Sequence, residues 1–240
     1  MAESTLQSAA PHILLIGASR GIGLAMAEAF LKRGWQVTAT VRGAEHAALD
    51  VLSHHYPQKL TIEQLDMTDR DQLADSHKRL KDKLFDVLFV NAGTSNRNQD
   101  QTIAEVSTEE FVHLMVTNAL SPMRAIEILQ DLVETDGLIG VMSSGQGSIG
   151  NNTKGGKEVY RGTKAALNQY MRSYAVREAE MNPARALLLL APGWIRTELG
   201  GSDAALSLEE TIPDIVSTIE HSRSKSGLEF LDRFGKAVAW

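Results

Sequence analysis

The chain has 240 residues, of which 43% are apolar and 22% charged, and its formal net charge is −6. This composition is ordinary for a globular chain, and no cluster of basic residues predicts a nucleic-acid partner. Cysteine is absent, which excludes disulfides, zinc–thiolate sites and thiol nucleophiles, and the seven histidines lack the spacing of metal ligands.

Short apolar runs alternate with longer amphipathic stretches along nearly the whole chain. The apolar runs predict strands, and the stretches between them show the spacing of amphipathic helices. In chain order, the predicted strands are residues 12–16, 36–41, 61–65, 85–90, 138–142, 186–190 and 228–231. The predicted helices are residues 21–33, 69–83, 107–119, 122–134, 159–181 and 207–221.

This alternation predicts an α/β fold: a doubly wound, mostly parallel seven-stranded sheet with helices on both faces. Because no repeat or linker interrupts the pattern, we predict one domain over residues 11–240, preceded by a flexible arm at residues 1–10. The longest apolar runs are far too short for a membrane span, and the first residues lack the pattern of a secretory signal. We therefore expect a cytoplasmic protein with no membrane partner.

A glycine-rich turn, Gly17-Ala18-Ser19-Arg20-Gly21-Ile22-Gly23, follows the first predicted strand directly. Glycines allow close approach of the backbone, and the helix that follows offers free N–H groups to an anion. The turn therefore predicts a cradle for the pyrophosphate of a dinucleotide, although a tight strand-to-helix corner could use the same residues.

The end of the second strand indicates which dinucleotide would bind. An NAD-binding chain is expected to carry a carboxylate there, for the ribose 2′-hydroxyl. This chain has Val41-Arg42 instead, with no carboxylate before Glu45. Arg42 and Arg20 are placed to meet a 2′-phosphate, which favours NADP(H) over NAD(H); the alternative is that both are solvated surface residues.

Of the four tyrosines, only Tyr160 has a lysine four residues later, Lys164. On a helix these positions share a face, so an ammonium group can lie near the phenol. A positive neighbour lowers the pKa of a phenol, and we expect Tyr160 to be tuned in this way for proton transfer. A packed tyrosine beside a surface lysine is the alternative.

These motifs, together with Asn91-Ala92-Gly93, Asn118, Ser143-Ser144 and Pro192-Gly193, resemble those of the short-chain dehydrogenase/reductase family in order and spacing. The resemblance runs from about residue 12 to residue 240. Residues 144–149, 192–197 and 227–240 are similar to the subgroup that contains C-factor and sniffer-type carbonyl reductases.

The resemblance implies a catalytic group of Asn118, Ser144, Tyr160 and Lys164. Tyr160 would be the general acid in reduction and the base in oxidation, and Lys164 would lower its pKa. Ser144 would hold the substrate carbonyl, and Asn118 would anchor a water that relays protons. The dinucleotide would contact residues in the loops after the strands and in the catalytic group: Gly17, Ser19, Arg20, Gly21, Ile22, Gly23, Arg42, Asp66, Met67, Asn91, Ala92, Gly93, Tyr160, Lys164, Pro192, Gly193, Trp194, Ile195 and Thr197.

The distance between serine and tyrosine departs from the family pattern. Ser144 precedes Tyr160 by 16 residues, which is more than is usual in the family, and the intervening segment is rich in Gly and Asn. We expect a longer loop over the site. Ser143 and Ser148 remain rivals, but Ser144 is preferred because it follows the strand directly.

The sequence thus predicts an NADP(H)-dependent oxidoreductase that moves a hydride between nicotinamide and a small carbonyl or alcohol substrate. The alternative is a protein that senses a dinucleotide or signals through partners without turnover. The family resemblance further implies a homodimer or homotetramer. The segments 107–134 and 159–181 would form its interface. The latter has an apolar stripe of Ala166, Leu167, Tyr170, Met171 and Tyr174, for which packing in the core of the same chain is the alternative.

Overall fold

Seven parallel strands organise the chain in a computed structural model that describes residues 10–44 and 46–240. The strands are β1 (His12–Ile16), β2 (Gln36–Val41), β3 (Leu60–Gln64), β4 (Phe85–Val90), β5 (Val133–Met142), β6 (Ala186–Ala191) and β7 (Gly227–Asp232). Their order is β3-β2-β1-β4-β5-β6-β7, and every neighbouring pair is parallel. The strand order reverses between β1 and β4, which is where ligands bind in sheets of this kind.

The helices connect successive strands. They are α1 (Gly21–Lys32), α2 (Ala47–His55), α3 (Arg70–Leu80), α4 (Thr108–Met115), α5 (Ser121–Leu129), α6 (Glu158–Met181) and α7 (Leu208–Ser222). A π-helical segment, Val116–Leu120, joins α4 to α5. None of the helices in the described part of the chain combines the length and the apolar character that a membrane span requires.

Side chains of each strand alternate between two apolar clusters, one on each face of the sheet. Ile13 and Leu15 belong to a cluster that includes α1 and α7 residues, such as Phe30 and Ile215. Leu14 and Ile16 belong to a second cluster, on the face covered by α3, α5 and α6. The predicted Rossmann-type α/β fold, with helices on both faces, is therefore confirmed.

The largest differences between prediction and structure concern α2 and the segment between α5 and β5. The helix α2 was absent from the prediction, because only Leu49 of this segment is buried and its apolar periodicity is weak. The predicted helix 122–134 extended too far, since α5 ends at Leu129 and Val133 already begins β5. Residues 1–9 of the predicted N-terminal arm lie outside the described residues, as does Glu45.

Candidate active site

The glycine turn after β1 is packed tightly against the end of β4. Gly17 has φ 87°, and a Cβ atom there would lie 2.6 Å from the Cβ of Ala92. A Cβ at Gly23 would lie 2.1 Å from the Gly17 carbonyl oxygen. The same carbonyl accepts a 2.8 Å hydrogen bond from the Asn91 side chain. The two loops at the point of strand reversal therefore form one rigid unit that tolerates glycine alone at positions 17 and 23.

The N-terminus of α1 carries no cap of its own. Arg20 stands at the N-cap position without a side-chain hydrogen bond, and the first turn has no acidic residue. By contrast, α3, α4 and α7 are capped by the side chains of Asp69, Ser107 and Ser207, respectively. The free N–H groups of α1 and the positive end of its dipole suit an anion, so these residues fit a dinucleotide pyrophosphate.

The two predicted phosphate-binding arginines differ in their surroundings. Arg42 directly follows β2 and is exposed. Arg20 is also exposed, but its guanidinium forms an ion pair with Glu198 of the loop after β6. Sequence reasoning missed Glu198, because a pair so distant in sequence has no local signal. Arg20 would have to exchange this carboxylate for a phosphate.

Asp66 and Met67, which are both expected to contact the dinucleotide, lie in the turn after β3. One carboxylate oxygen of Asp66 accepts hydrogen bonds from the backbone N–H (2.9 Å) and the hydroxyl (2.7 Å) of Thr68. Asp66 is half-buried, and Met67 belongs to the core. The turn therefore orients the carboxylate while its second oxygen keeps no described partner.

The proposed catalytic residues converge at the carboxyl ends of β4 and β5. Tyr160 lies in the first turn of α6, and the buried Lys164 follows one turn later. The Lys164 Nζ donates a 2.9 Å hydrogen bond to the Met142 carbonyl at the end of β5 and lies 5.8 Å from the Tyr160 ring centroid. A Cβ at Gly93 would approach this Nζ to 3.5 Å and the Asn118 Oδ1 to 3.4 Å. Gly93 therefore lies directly against the Lys164 ammonium and the Asn118 side chain.

Of the three candidate serines, Ser144 is the one that meets the tyrosine. Its side chain is hydrogen-bonded to Tyr160. Ser143 instead donates a 2.6 Å hydrogen bond to Asn168, and Ser148 accepts one from the backbone of Asn151. The geometry therefore favours Ser144 over both rivals.

Asn118 lies in the middle of the π-helical segment and is buried. Its side chain accepts from the N–H of Thr94 and donates to the Thr94 carbonyl and to the hydroxyl of Thr163. Because these bonds occupy the amide, the water that the family resemblance implies at Asn118 would have to bind its backbone carbonyl. Four residues later stands Pro122, which has no amide hydrogen to donate to that carbonyl in an α-helix.

Burial dominates the electrostatics of the catalytic pair. It lowers the pKa of Lys164 from 10.5 to about 8. Burial also raises the pKa of Tyr160, and the hydrogen bond with Ser144 opposes this shift only in part. In this arrangement burial therefore raises the pKa of Tyr160, contrary to the expectation that Lys164 holds it below its ordinary value.

The loop after β6 lies close to the glycine turn. Pro192 and Ile195 of this loop are buried. Thr197 accepts a 3.0 Å hydrogen bond from the N–H of Gly200, and its methyl carbon would lie 3.7 Å from a Cβ at Gly21. The glycine turn and the loop after β6, which are both expected to contact the dinucleotide, are thus neighbours. Gly193 and Trp194 of the same loop are exposed, Trp194 by half.

Residues 11–205 match the family model of the short chain dehydrogenases. A protein from Burkholderia multivorans, described as a short-chain dehydrogenase/reductase and solved with bound NADP, is 55% identical, with a TM-score of 0.94 over 97% of this chain and 100% of that chain. The carbonyl reductase Sniffer of D. melanogaster is 28% identical, with a TM-score of 0.84 over 97% and 100% of the two chains. The C-signal of Myxococcus xanthus is 30% identical over 158 residues, which is 65% of this chain and 92% of that protein.

The chain therefore belongs to the short-chain dehydrogenase family of oxidoreductases. Its relatives include C-signal and Sniffer, which confirms the resemblance to the C-factor and sniffer-type subgroup.

The buried ammonium predicts a stability that depends on pH. An unfolded chain binds the Lys164 proton more tightly than the folded chain, so the free energy of unfolding due to this group rises between pH 8 and pH 10.5. Below pH 8 the burial costs roughly 3 kcal/mol, since one pKa unit corresponds to about 1.4 kcal/mol. Lys164→Met should therefore unfold at a higher temperature than the wild type at pH 7.

Thermal unfolding of both proteins from pH 7 to pH 10 tests this expectation. The advantage of Lys164→Met should shrink as the pH rises. A variant that is less stable than the wild type by the same margin at every pH would show that Lys164 stabilises the fold.

Proposed function

We propose that this protein is an NADP(H)-dependent oxidoreductase that transfers a hydride between nicotinamide and a carbonyl or alcohol substrate. The observation that carries the proposal is the convergence of Tyr160, Ser144 and the buried Lys164 beside the glycine turn. The bound nicotinamide would supply the hydride in reduction and accept it in oxidation.

The residues of the chain would handle the proton. In reduction, the hydroxyls of Ser144 and Tyr160 would bind the carbonyl oxygen of the substrate and stabilise the negative charge that develops there. The Tyr160 hydroxyl would then give its proton to that oxygen, forming the alcohol. Since burial raises the pKa of Tyr160, the proton is in place at neutral pH. The resulting phenolate would be stabilised by the ammonium of Lys164 and would regain a proton through water at the Asn118 carbonyl.

Removing the Tyr160 hydroxyl tests the mechanism. Tyr160→Phe should lower kcat by several orders of magnitude, because it removes the proton donor, while the NADPH dissociation constant stays within a few-fold. The measurement is steady-state NADPH oxidation with a panel of aldehydes, ketones and quinones. Tyr170→Phe is the matched control, since Tyr170 is exposed on the same helix. Substantial activity in Tyr160→Phe would refute the mechanism.

The same panel separates the enzyme from a protein that senses or signals. The similarity of this chain to C-signal is the reason to test for a signalling function as well. A protein that binds NADPH tightly but leaves it unoxidised with every carbonyl compound would favour sensing. The intact set of Asn118, Ser144, Tyr160 and Lys164 supports catalysis, because binding alone needs no proton donor.

A preference for NADP(H) over NAD(H) follows from the charge around the adenosine ribose. Val41-Arg42 places a guanidinium, rather than a carboxylate, after β2. A guanidinium offers paired donors to a dianionic phosphate. Arg20 would add a second contact if it leaves Glu198. The relative from Burkholderia multivorans was solved with NADP, which supports this assignment.

Arg42→Ala should weaken NADPH binding by roughly tenfold and change NADH binding little, because one exposed charge-assisted contact contributes about 1–2 kcal/mol. Calorimetry with both cofactors at low salt provides the measurement. Arg124→Ala, which removes an exposed arginine from α5, is the control.

Val41→Asp should shift the preference toward NADH. Equal dissociation constants of the wild type for the two cofactors would contradict the assignment.

We also propose that the chain assembles as a dimer or tetramer through α4, α5 and α6. Most of the predicted apolar stripe on α6 lies in the core of its own chain, with Leu167, Met171 and Tyr174 buried. Exposed apolar side chains nevertheless remain on these helices and the π-helical segment between them, namely Phe111, Val112, Leu120, Tyr170 and Val176. Such side chains favour association when they form one patch.

Light scattering at micromolar concentration tests the assembly. We expect two or four times the chain mass of 26.2 kDa. Tyr170→Glu should lower the measured mass, because it buries a charge in the interface. A wild-type mass of a single chain would refute this proposal.

A further inference from the structure

The residue before α6, Lys157, has an unusual backbone. Its φ of 52° is the only positive value among the non-glycine residues that the structure describes. It follows Gly155 and Gly156, whose φ values are 64° and 65°. A glycine adopts this left-handed conformation freely, whereas a residue with a Cβ is strained there. Strain of this kind is typical of functional sites, so the lysine side chain needs an explanation.

That side chain reaches across to the loop after β6. The Lys157 Nζ lies 5.2 Å from the centroid of the Trp194 ring, within the range of a cation–π interaction. The indole N–H of Trp194 donates a 2.8 Å hydrogen bond to the Gly200 carbonyl. Trp194 is thus held from two sides in one orientation.

The next residue, Glu158, holds the other loop that borders the site. Its carboxylate accepts a 2.7 Å hydrogen bond from the backbone N–H of Ile103, in the loop between β4 and α4. Lys157 and Glu158 therefore tie two loops to the start of α6, within three residues of Tyr160.

The two tethered loops expose large apolar side chains. The exposed fractions are 54% for Ile103, 50% for Trp194 and 43% for Leu199. Tyr160 follows Glu158 by two residues, so the polar pair of Tyr160 and Ser144 lies close to the segment that tethers these loops. An apolar rim around a few placed polar groups is the usual form of a small-molecule pocket.

We infer that Lys157 is a positioning residue that fixes Trp194 as a wall of the substrate pocket, and that this pocket selects carbonyl compounds with a bulky aromatic group. The inference rests on the proposed oxidoreductase function. An aromatic substituent would be sheltered from water by Trp194 while its carbonyl meets Ser144 and Tyr160. A small aliphatic carbonyl compound would gain only the polar contacts.

Three variants of Lys157 separate its charge from its backbone strain. Lys157→Gly removes both, Lys157→Asn keeps a residue that tolerates the left-handed region but has no charge, and Lys157→Arg keeps the cation. The thermal midpoint of Lys157→Gly should equal or exceed that of the wild type. A purely structural lysine would give a lower midpoint.

The kinetic readout compares benzaldehyde with propanal, with NADPH as reductant. The wild type should have a kcat/KM about tenfold or more higher for benzaldehyde. This ratio should fall about three- to fivefold in Lys157→Gly and Lys157→Asn, through a higher KM for benzaldehyde, and should be retained in Lys157→Arg. A wild-type ratio near one, or an unchanged ratio in Lys157→Gly, would overturn the inference.

Two further measurements make the outcome decisive. If Lys157→Gly loses more activity with 4-carboxybenzaldehyde than with benzaldehyde, Lys157 is an anion ligand, and the positioning role is overturned. If the wild type reduces no aldehyde, the proposed function fails. The wall can then be tested separately, by following the binding of benzyl alcohol through tryptophan fluorescence. Saturable quenching that disappears in Trp194→Phe and weakens in Lys157→Gly would still support the wall; equal quenching in all three proteins would refute it.

Discussion

The buried ammonium of Lys164 is the constraint on which the rest of the site depends. It is held by the carbonyl of Met142, the last residue of β5, and this bond fixes the rotation of α6 over the sheet. Tyr160, one turn earlier, therefore faces Ser144, which follows the same strand after one residue. The close packing of Gly147 on α6, where a Cβ would lie 2.9 Å from the Lys164 Cβ, leaves the helix no freedom to shift.

This constraint explains why the catalytic pair is not arranged for maximal stability. A lysine that is buried with a lowered pKa destabilises the folded chain at neutral pH. Desolvation also keeps the Tyr160 proton in place until an acceptor arrives. Lys157 also has a cost in stability, because it adopts a left-handed backbone conformation that a glycine would adopt without strain. Both features lie within one turn of Tyr160, as expected for a site that balances stability against activity.

Local patterns predicted most of the fold. The bounds of β1, β2 and β4 agree with the prediction, because buried parallel strands appear as short apolar runs bounded by polar residues or glycine. The helix α2 was missed because it covers the sheet with a single buried residue, Leu49. The facing of Tyr160 and Lys164 could be predicted from their spacing alone.

The remaining details depend on groups that are distant in sequence. The ion pair between Arg20 and Glu198, the commitment of the Asn118 amide to Thr94, and the contact of Lys157 with Trp194 all join separate loops. The direction of the Tyr160 pKa was predicted wrongly, because the spacing of a lysine reveals its proximity but not the desolvation of the phenol. Contacts between loops and the desolvation of a side chain depend on the folded structure, so no periodicity in the sequence predicts them.

The pH dependence of kcat/KM for carbonyl reduction tests the central claim most directly. The claim requires a protonated Tyr160 beside a protonated Lys164, whose pKa is about 8. We therefore predict a plateau near neutral pH and a decline above about pH 8 as the Lys164 proton is lost, while Tyr160, whose pKa is raised, keeps its proton. A rate that stays constant or increases up to pH 10 would contradict the account, because it would show that the Lys164 proton takes no part in the reaction.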